Sequence, residues 1–380
     1  MGDIMEFRGL KEQYTLHKEE IDNAIARVLH NTNFISGYEV TQLEQQLTEY
    51  VGVKHCISCA NGTDALQLAL MAWNIGAGDA IFVPDFTFFS SGEVVAMVGA
   101  TPIFVDIDEN TYNISVESLE KAIQHVLSKT DLQPKVIIAV DLFGQPADYN
   151  RIREIADKYN LLILEDAAQG FGGKIGEKKA CSFGDISTTS FFPAKPLGCY
   201  GDGGAIFTDN DEWAELLRSY RVHGKGADKY DNVRIGMNSR LDTLQAAILI
   251  EKLKFFDVEI SRCNYIAEEY TKRLNGFVKT PIIEQDKTSS WAQYTICLKD
   301  TNQRNVVMNS LKEEGIPSAI YYKKPMHKQK AFKGYVEYSE LGVTSDICEK
   351  CLSIPMHAYL NMTDIVRICN QINKVFESKV

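Results

Sequence analysis

The spacing of hydrophobic residues changes along the chain, and each pattern predicts a different kind of secondary structure. Over 12–30 and 39–51, apolar residues recur every three or four positions, which places them on one face of a helix. From residue 55 they form short continuous runs rich in Val, Ile and Phe, as strands buried on both faces do. Seven such runs occur, at 55–60, 80–84, 101–107, 136–142, 161–167, 185–192 and 203–208.

Helical patterns separate the early runs, so the first part of the chain alternates between strand and helix. These patterns lie at 63–73, 91–98, 115–128 and 148–158. The alternation predicts an α/β fold in which helices cover both faces of a mostly parallel sheet.

The pattern after residue 240 predicts a second, smaller unit. It contains one or two long helices over 242–275, and further helical patterns at 302–314 and 363–378. Weaker strand signals lie at 280–284, 292–298 and 318–322. We therefore predict a large domain over 1–245 and a smaller C-terminal α+β domain over 246–380.

Composition narrows the classes of function that the fold can serve. The chain has 380 residues and a formal net charge of −11, so it lacks the basic surface of a general nucleic-acid binder. It gives no reason to expect attraction to an anionic membrane, and its apolar runs are far shorter than the roughly 20 residues of a membrane span. The first residues contain no apolar signal core, and we expect a cytoplasmic protein.

The nine cysteines include two C-x-x-C pairs, Cys56 with Cys59 and Cys348 with Cys351. A four-cysteine zinc site is one interpretation of these pairs. They lie far apart in the chain, unlike the compact spacing of zinc modules, and we favour reduced thiols and no metal.

Candidate chemical groups follow several of the predicted strands, where open parallel sheets bind their ligands. Asn61 and Gly62 form a turn, and Thr63 opens a helix whose free N–H groups suit an anion, although a plain helix cap has the same pattern. Asp166 ends an apolar run, where a carboxylate needs a partner. That partner would be a cationic ring nitrogen or a neighbouring Arg or Lys.

Lys195 lies between two prolines in the Gly-rich segment SFFPAKPLGCYGDGG, 190–204. Desolvation there would lower the pKa of the amine and make it a nucleophile, whereas the alternative is an exposed loop lysine. Neither a P-loop nor a dinucleotide fingerprint is present, which disfavours nucleotide hydrolases and dinucleotide-dependent oxidoreductases. An amine, a strand-end Asp and an anion-binding helix together match the needs of pyridoxal 5′-phosphate (PLP).

With these residues in place, the sequence resembles the DegT/StrS family of sugar-nucleotide aminotransferases over nearly its whole length. The shared motifs include CANGTDALQLAL (59–70), EDAAQGFGG (165–173), SFFPAKPLGCYGDGGAIFT (190–208) and GMNSRLDTLQAAIL (236–249). The resemblance implies the aspartate-aminotransferase type of fold, fold type I, and PLP as the cofactor.

The resemblance also assigns roles to single residues. Lys195 matches the lysine that binds the PLP aldehyde, and Asp166 the carboxylate beside the ring nitrogen. The remaining cofactor positions match Gln169 at the phenolic oxygen, Phe88 stacked on the ring, and Gly62, Thr63 and Ser190 at the phosphate. Asn238 matches an asparagine given to that phosphate by the neighbouring subunit of a homodimer, and Arg240 is expected to face the partner's site.

The segment YYKKPMHKQKAF, 321–332, matches a family tail that often reads H-Y-x-P-L-H. Tyr322 and His327 keep the matched positions, and the resemblance implies that they touch the sugar nucleotide. Tyr321 replaces the usual histidine, and Lys323 and Lys324 are further departures. The two lysines would face a diphosphate or a sugar carboxylate, or else they are solvated.

We therefore predict transfer of an amino group from L-glutamate to a nucleotide-linked keto sugar, with Lys195 as general base and ping-pong kinetics. The resemblance favours a UDP-linked 3-keto N-acetyl hexuronate or a related UDP-keto sugar, in amino-sugar and O-antigen biosynthesis. The alternatives are a 4-keto-6-deoxy sugar nucleotide as acceptor and a PLP-binding sensor. Lys195 argues against the related dehydratases, which carry a histidine there.

Overall fold

The computed structural model describes residues 5–228, 230–335 and 340–377. The helices within these ranges are α1 Leu10–Leu16, α2 Lys18–Asn31, α3 Tyr38–Val51, α4 Gly62–Ala72, α5 Ser90–Met97, α6 Val116–Lys129, α7 Tyr149–Tyr159, α8 Asp211–Tyr220, α9 Thr243–Leu253, α10 Phe256–Leu274, α11 Thr301–Glu313, α12 Gly342–Lys350 and α13 Met362–Glu377. The strands are β1 His55–Cys59, β2 Asp79–Pro84, β3 Thr101–Val105, β4 Gln133–Val140, β5 Leu162–Asp166, β6 Lys174–Ile175, β7 Lys178–Lys179, β8 Ile186–Ser190, β9 Gly204–Thr208, β10 Lys287–Thr288, β11 Tyr294–Cys297 and β12 Cys351–Ile354.

Seven strands form the central sheet, in the order β1-β9-β8-β5-β4-β2-β3. The pairs from β8 through to β3 are parallel, whereas β9 runs antiparallel to both of its neighbours. Each of the seven apolar runs supplies one of these strands. The prediction of a mostly parallel α/β sheet is therefore confirmed.

Side chains of the sheet alternate between two layers of helices. Ile81 and Val83 of β2 pack into the cluster that holds α4, α5 and α8. Ala80 and Phe82, which point the other way, pack with α6 and α7. Both faces of the strand are buried, which explains why β2 has a continuous apolar run instead of alternating apolar and polar residues.

The later part of the chain forms a second core around the two-stranded sheet of β11 and β12. Helices α10, α11 and α13 pack on it through Tyr270, Val307 and Ile368, together with Tyr294 of β11. The predicted helices over 242–275 are two, α9 and α10. The boundary at 245/246 would fall inside α9, and the division into 1–245 and 246–380 stays a prediction.

Two of the weaker strand predictions are wrong. Residues 280–284 form no strand, because the side chain of Gln145 occupies their backbone groups. Its Nε2 donates to the carbonyl of Ile282 at 3.0 Å, and its Oε1 accepts from the N–H of Glu284 at 2.9 Å. In 318–322, only Ala319 forms a bridge, with Ser353 of β12.

The membrane prediction can be compared with the helices of the described ranges. Among residues 5–228, 230–335 and 340–377, no helix combines the length and the apolarity that crossing a bilayer requires.

Candidate active site

A cavity of about 720 Å³ opens at the carboxyl ends of β5 and β8. Its wall contains the strand ends, the start of α4, the loop that follows β8, and a segment from the later part of the chain. Eight of the eleven predicted site residues line it, namely Gly62, Thr63, Phe88, Asp166, Gln169, Ser190, Lys195 and Tyr322. Asn238, Arg240 and His327 lie outside its lining.

One corner of the cavity is built from the N-terminus of α4. Asn61 caps the helix, its side chain accepting the N–H of Asp64 at 2.8 Å. The N–H groups of Gly62 and Thr63 have no acceptor within the helix, as is general in a first turn. A Cβ on Gly62 would lie 2.8 Å from the Cβ of Ser190, so glycine lets the strand end approach the helix. Amides, hydroxyls and a helix dipole converge here, which suits a phosphate.

Asp166 is 5% exposed at the end of β5. Its carboxylate accepts hydrogen bonds from Ser91 Oγ at 2.7 Å and from the N–H of Ala168 at 3.2 Å. Burial raises the pKa of Asp166, while these bonds and the charge of Lys195 oppose that shift. Because both donors are neutral, the buried carboxylate suits a further, positively charged partner such as a protonated ring nitrogen.

Lys195 is half-buried in the loop after β8, and that loop is tightly fixed. The N–H of Lys195 donates to the carbonyl of Phe192 at 2.8 Å, and Nζ of the buried Lys252 donates to the carbonyl of Gly198 at 2.5 Å. Burial lowers the pKa of Lys195, which the charge of Asp166 partly offsets. The amine therefore loses its proton more readily than an exposed lysine does, as a nucleophile or base requires.

Gln169 joins the loop after β5 to Tyr322, which comes from the later part of the chain. Its Oε1 accepts the N–H of Phe143 at 2.7 Å, and its Nε2 donates to the hydroxyl of Tyr322 at 3.0 Å. Phe88 also lines the cavity but is 55% exposed, with its ring centroid 6.4 Å from that of Tyr322. An exposed ring in a cavity wall offers a face on which a flat aromatic cofactor can stack.

His327 contacts a buried carboxylate outside the cavity. The ring nitrogen Nδ1 of His327 lies 2.6 Å from Oδ2 of Asp85, and the backbone N–H of His327 donates to Oδ1 of Asp85 at 2.8 Å. Asp85 follows β2 and is fully buried. This geometry anchors the segment that contains Tyr322, and contact of His327 itself with a sugar nucleotide stays a prediction.

Asn238 and Arg240 lie in the loop between α8 and α9. Arg240 lines a separate, open cavity of about 950 Å³ that also contains His223 and Arg234. Asn238 is exposed and pairs with Val222 in an isolated bridge. Within one chain, these two residues do not join the cavity of Lys195.

Sequence reasoning missed three groups of the site, Ser91, Asp85 and Ser90. Ser91 orients Asp166, and Thr87 lies 3.1 Å from its hydroxyl in turn. Ser90 Oγ lies 2.7 Å from Oγ1 of Thr63 at the phosphate corner. The two adjacent serines at the start of α5 carry no distinctive local signal, because five residues separate them from the end of β2.

Comparison with known proteins decides which family this site belongs to. Residues 15–373 match the model of the DegT/DnrJ/EryC1/StrS aminotransferase family. The chain belongs to this family. The predicted resemblance is thereby confirmed, as is the aspartate-aminotransferase type of fold.

The relatives of this aminotransferase match it almost from end to end. One is the UDP-2-acetamido-2-deoxy-3-oxo-D-glucuronate aminotransferase of Pseudomonas aeruginosa, 45% identical, with 96% of this chain and 99% of the relative covered. A crystal structure of a DegT DnrJ EryC1 StrS aminotransferase from Brucella abortus has a TM-score of 0.95 and 48% identity, covering 97% of this chain and 99% of that one.

A third relative bears on the cofactor. NtdA of Bacillus subtilis, solved with bound PMP, the amino form of PLP, has a TM-score of 0.86 and 30% identity, covering 95% of this chain and 82% of that one. The residues of this chain fit the same group, with an amine at Lys195, a buried carboxylate at Asp166 and the helix N-terminus at Gly62. The protein is a PLP-dependent aminotransferase.

Proposed function

We propose that this aminotransferase moves an amino group from L-glutamate to the 3-keto group of a UDP-linked N-acetyl hexuronate. The observation that carries the proposal is the 45% identity, over nearly the whole of both chains, to a relative named for that acceptor. The product, an amino-sugar nucleotide, would serve O-antigen or related polysaccharide synthesis.

We infer the following roles for the residues around the cavity. Bound PLP supplies an electron sink for negative charge that develops at the donor Cα. Asp166 holds the ring nitrogen in its protonated form, and Ser91 orients that carboxylate. Nζ of Lys195, its pKa lowered by burial, would take the proton from the donor Cα and deliver it to C4′ of the bound PLP.

The same cavity wall divides into a cofactor side and a substrate side. Gly62, Thr63 and Ser190 bind the phosphate, and Phe88 stacks on the ring. Tyr322 borders the substrate side, where its hydroxyl accepts from Gln169, the residue proposed beside the phenolic oxygen. Proton transfer in this arrangement takes place between groups that the protein fixes in advance.

We also propose a homodimer with shared sites. The loop that contains Asn238 exposes large apolar side chains, with Ile235 89% and Tyr230 83% exposed. Such side chains next to basic groups suit an interface. In a dimer, Asn238 would reach the partner's cofactor phosphate and Arg240 the partner's substrate. We place the enzyme in the cytoplasm, where nine reduced cysteines persist.

The test follows the two half-reactions separately. The visible spectrum of the PLP-loaded enzyme is recorded before and after L-glutamate, and UDP-2-acetamido-2-deoxy-3-oxo-glucuronate is then added. We expect glutamate to bleach the band of lysine-bound PLP and the keto sugar to restore it. A 4-keto-6-deoxy sugar nucleotide serves as the competing acceptor.

Each outcome discriminates between the candidate functions. Restoration of the band by the 4-keto sugar alone would replace the proposed acceptor with that alternative. PLP binding without any response to glutamate or another amino donor would favour a sensor.

A further inference from the structure

The segment Tyr321–Gln329 forms one wall of the cavity and is fixed at both ends. At one end, the hydroxyl of Tyr322 accepts from Nε2 of Gln169 at 3.0 Å. At the other, the N–H groups of Met326 and His327 donate to the backbone oxygen and the carboxylate of Asp85, at 2.9 and 2.8 Å. The backbone between these anchors is therefore held in position against the cavity.

Lys323 and Lys324 lie between the two anchors, and the structure separates them. Lys324 lines the cavity and Lys323 does not, although both side chains are exposed. The carbonyl of Lys324 accepts from Nε2 of Gln329 at 3.4 Å, a long bond within the same segment. Of the two lysines, Lys324 is therefore the one that borders the cavity.

The charges around the cavity make Lys324 available to a ligand. The charged residues in the lining are Asp166, Lys195, Asp202 and Lys324. The first two are assigned to the cofactor. Within the part of the chain that the structure describes, Nζ of Lys324 forms no ion pair. Asp202 would repel an anionic substrate, and a cation in the same cavity lining would offset that repulsion.

We propose that Lys324 is a substrate-binding residue whose ammonium group binds an anionic group of the sugar nucleotide. The group is the carboxylate of the hexuronate or the diphosphate, since both present oxygens that an ammonium group binds. This inference rests on the proposed function, because it needs a nucleotide-linked sugar as the ligand. The sequence left open whether Lys323 and Lys324 face the substrate or solvent. This inference assigns Lys324 to the substrate and Lys323 to solvent.

The test is calorimetric titration of the PLP-loaded enzyme with two stable ligands, UDP-N-acetylglucosamine and UDP-N-acetylglucosaminuronic acid. They differ only at C6, which is a hydroxymethyl group in the first and a carboxylate in the second. Lys324→Met removes the charge and keeps much of the length of the side chain. Lys323→Met is the matched control, and Lys324→Arg restores a cation at the position.

We expect Lys324→Met to weaken binding about ten-fold, which corresponds to roughly 1.4 kcal/mol. A loss confined to the uronic acid identifies the carboxylate, and an equal loss for both ligands identifies the diphosphate. Lys323→Met should bind both ligands as the wild type does, and Lys324→Arg should regain most of the loss. Raising the salt concentration should narrow the difference between wild type and Lys324→Met.

Three results would overturn the inference. Lys324→Met could bind both ligands with wild-type affinity, Lys323→Met could lose as much, or the wild type could bind neither ligand. Failure of the proposed function has a different signature, because it appears as absent amino transfer to the keto sugar. If the wild type binds both nucleotides and Lys324→Met shows the expected loss, but no amino group is transferred to the keto sugar, the proposed acceptor is rejected. The role of Lys324 is then still supported.

Discussion

Replacing Ser91 with alanine tests the electrostatics of the cofactor site. Ser91 is buried, and its hydroxyl donates to Oδ2 of Asp166 at 2.7 Å. That bond lowers the pKa of Asp166 and opposes the raising effect of burial. A hydrogen bond to a charged group contributes about 1.5–3 kcal/mol. At 1.36 kcal/mol per unit, its loss should raise the pKa of Asp166 by about 1–2 units.

The sign of the effect on activity follows from the protonation state that the reaction needs. In its proposed role, Asp166 must be ionised to hold a protonated ring nitrogen, and its ionised form is lost as the pH falls through its pKa. In Ser91→Ala that loss should begin at higher pH. The acid limb of the rate of the glutamate half-reaction should therefore move upward by about 1–2 units, in proportion to the change in pKa.

The assay is stopped-flow absorbance of the PLP-loaded enzyme with glutamate, measured across the acid range. Ser90→Ala is the matched control, because Ser90 is the adjacent serine and contacts Thr63 instead of Asp166. It should leave the acid limb in place even if it weakens binding of the phosphate. An acid limb that is the same in Ser91→Ala and wild type would refute this account of how Asp166 is held.

Three further substitutions test other parts of the site. Lys195→Ala should slow the glutamate half-reaction by about 10²-fold or more, because it removes the general base, and retention of rate in stopped-flow absorbance would reject that role. Gly62→Ala should weaken PLP binding about ten-fold in a fluorescence titration, because the new Cβ would lie 2.8 Å from the Cβ of Ser190. Unchanged affinity would contradict the close packing of α4 on Ser190. Asp85→Asn should raise the KM for the keto sugar and leave the rate of the glutamate half-reaction unchanged, because it weakens the hold of Asp85 on the segment that contains His327. A loss confined to the glutamate half-reaction would contradict that anchoring role.

The sequence predicts the sheet well because each strand carries its own signal. A run such as 161–167 is apolar throughout, since helices cover both of its faces, and no knowledge of its neighbours is needed. The proposed catalytic pair was predicted in the same way, because Asp166 and Lys195 lie in unusual local surroundings. Both line one cavity, as open parallel sheets lead one to expect.

What sequence reasoning missed depends on partners that are distant in the chain. Residues 280–284 have the composition of a strand, but Gln145 supplies their hydrogen bonds. His327 matches a family position, yet only the fold reveals that the ring nitrogen of His327 lies against the carboxylate of Asp85. A serine such as Ser91 has no distinctive local pattern, and its importance arises from the tertiary contact with Asp166.

The pairing of β1 has a consequence for the order in which the protein can assemble. Strand β1 lies at the edge of the sheet and pairs with β9, so that His55 is opposite Thr208. During synthesis, β1 emerges long before that partner exists, and closing so long a loop has a large entropic cost. The phosphate corner needs α4, which directly follows β1, beside Ser190 of β8. The cofactor site is therefore completed late, and a nascent chain that ends before β9 should not retain PLP.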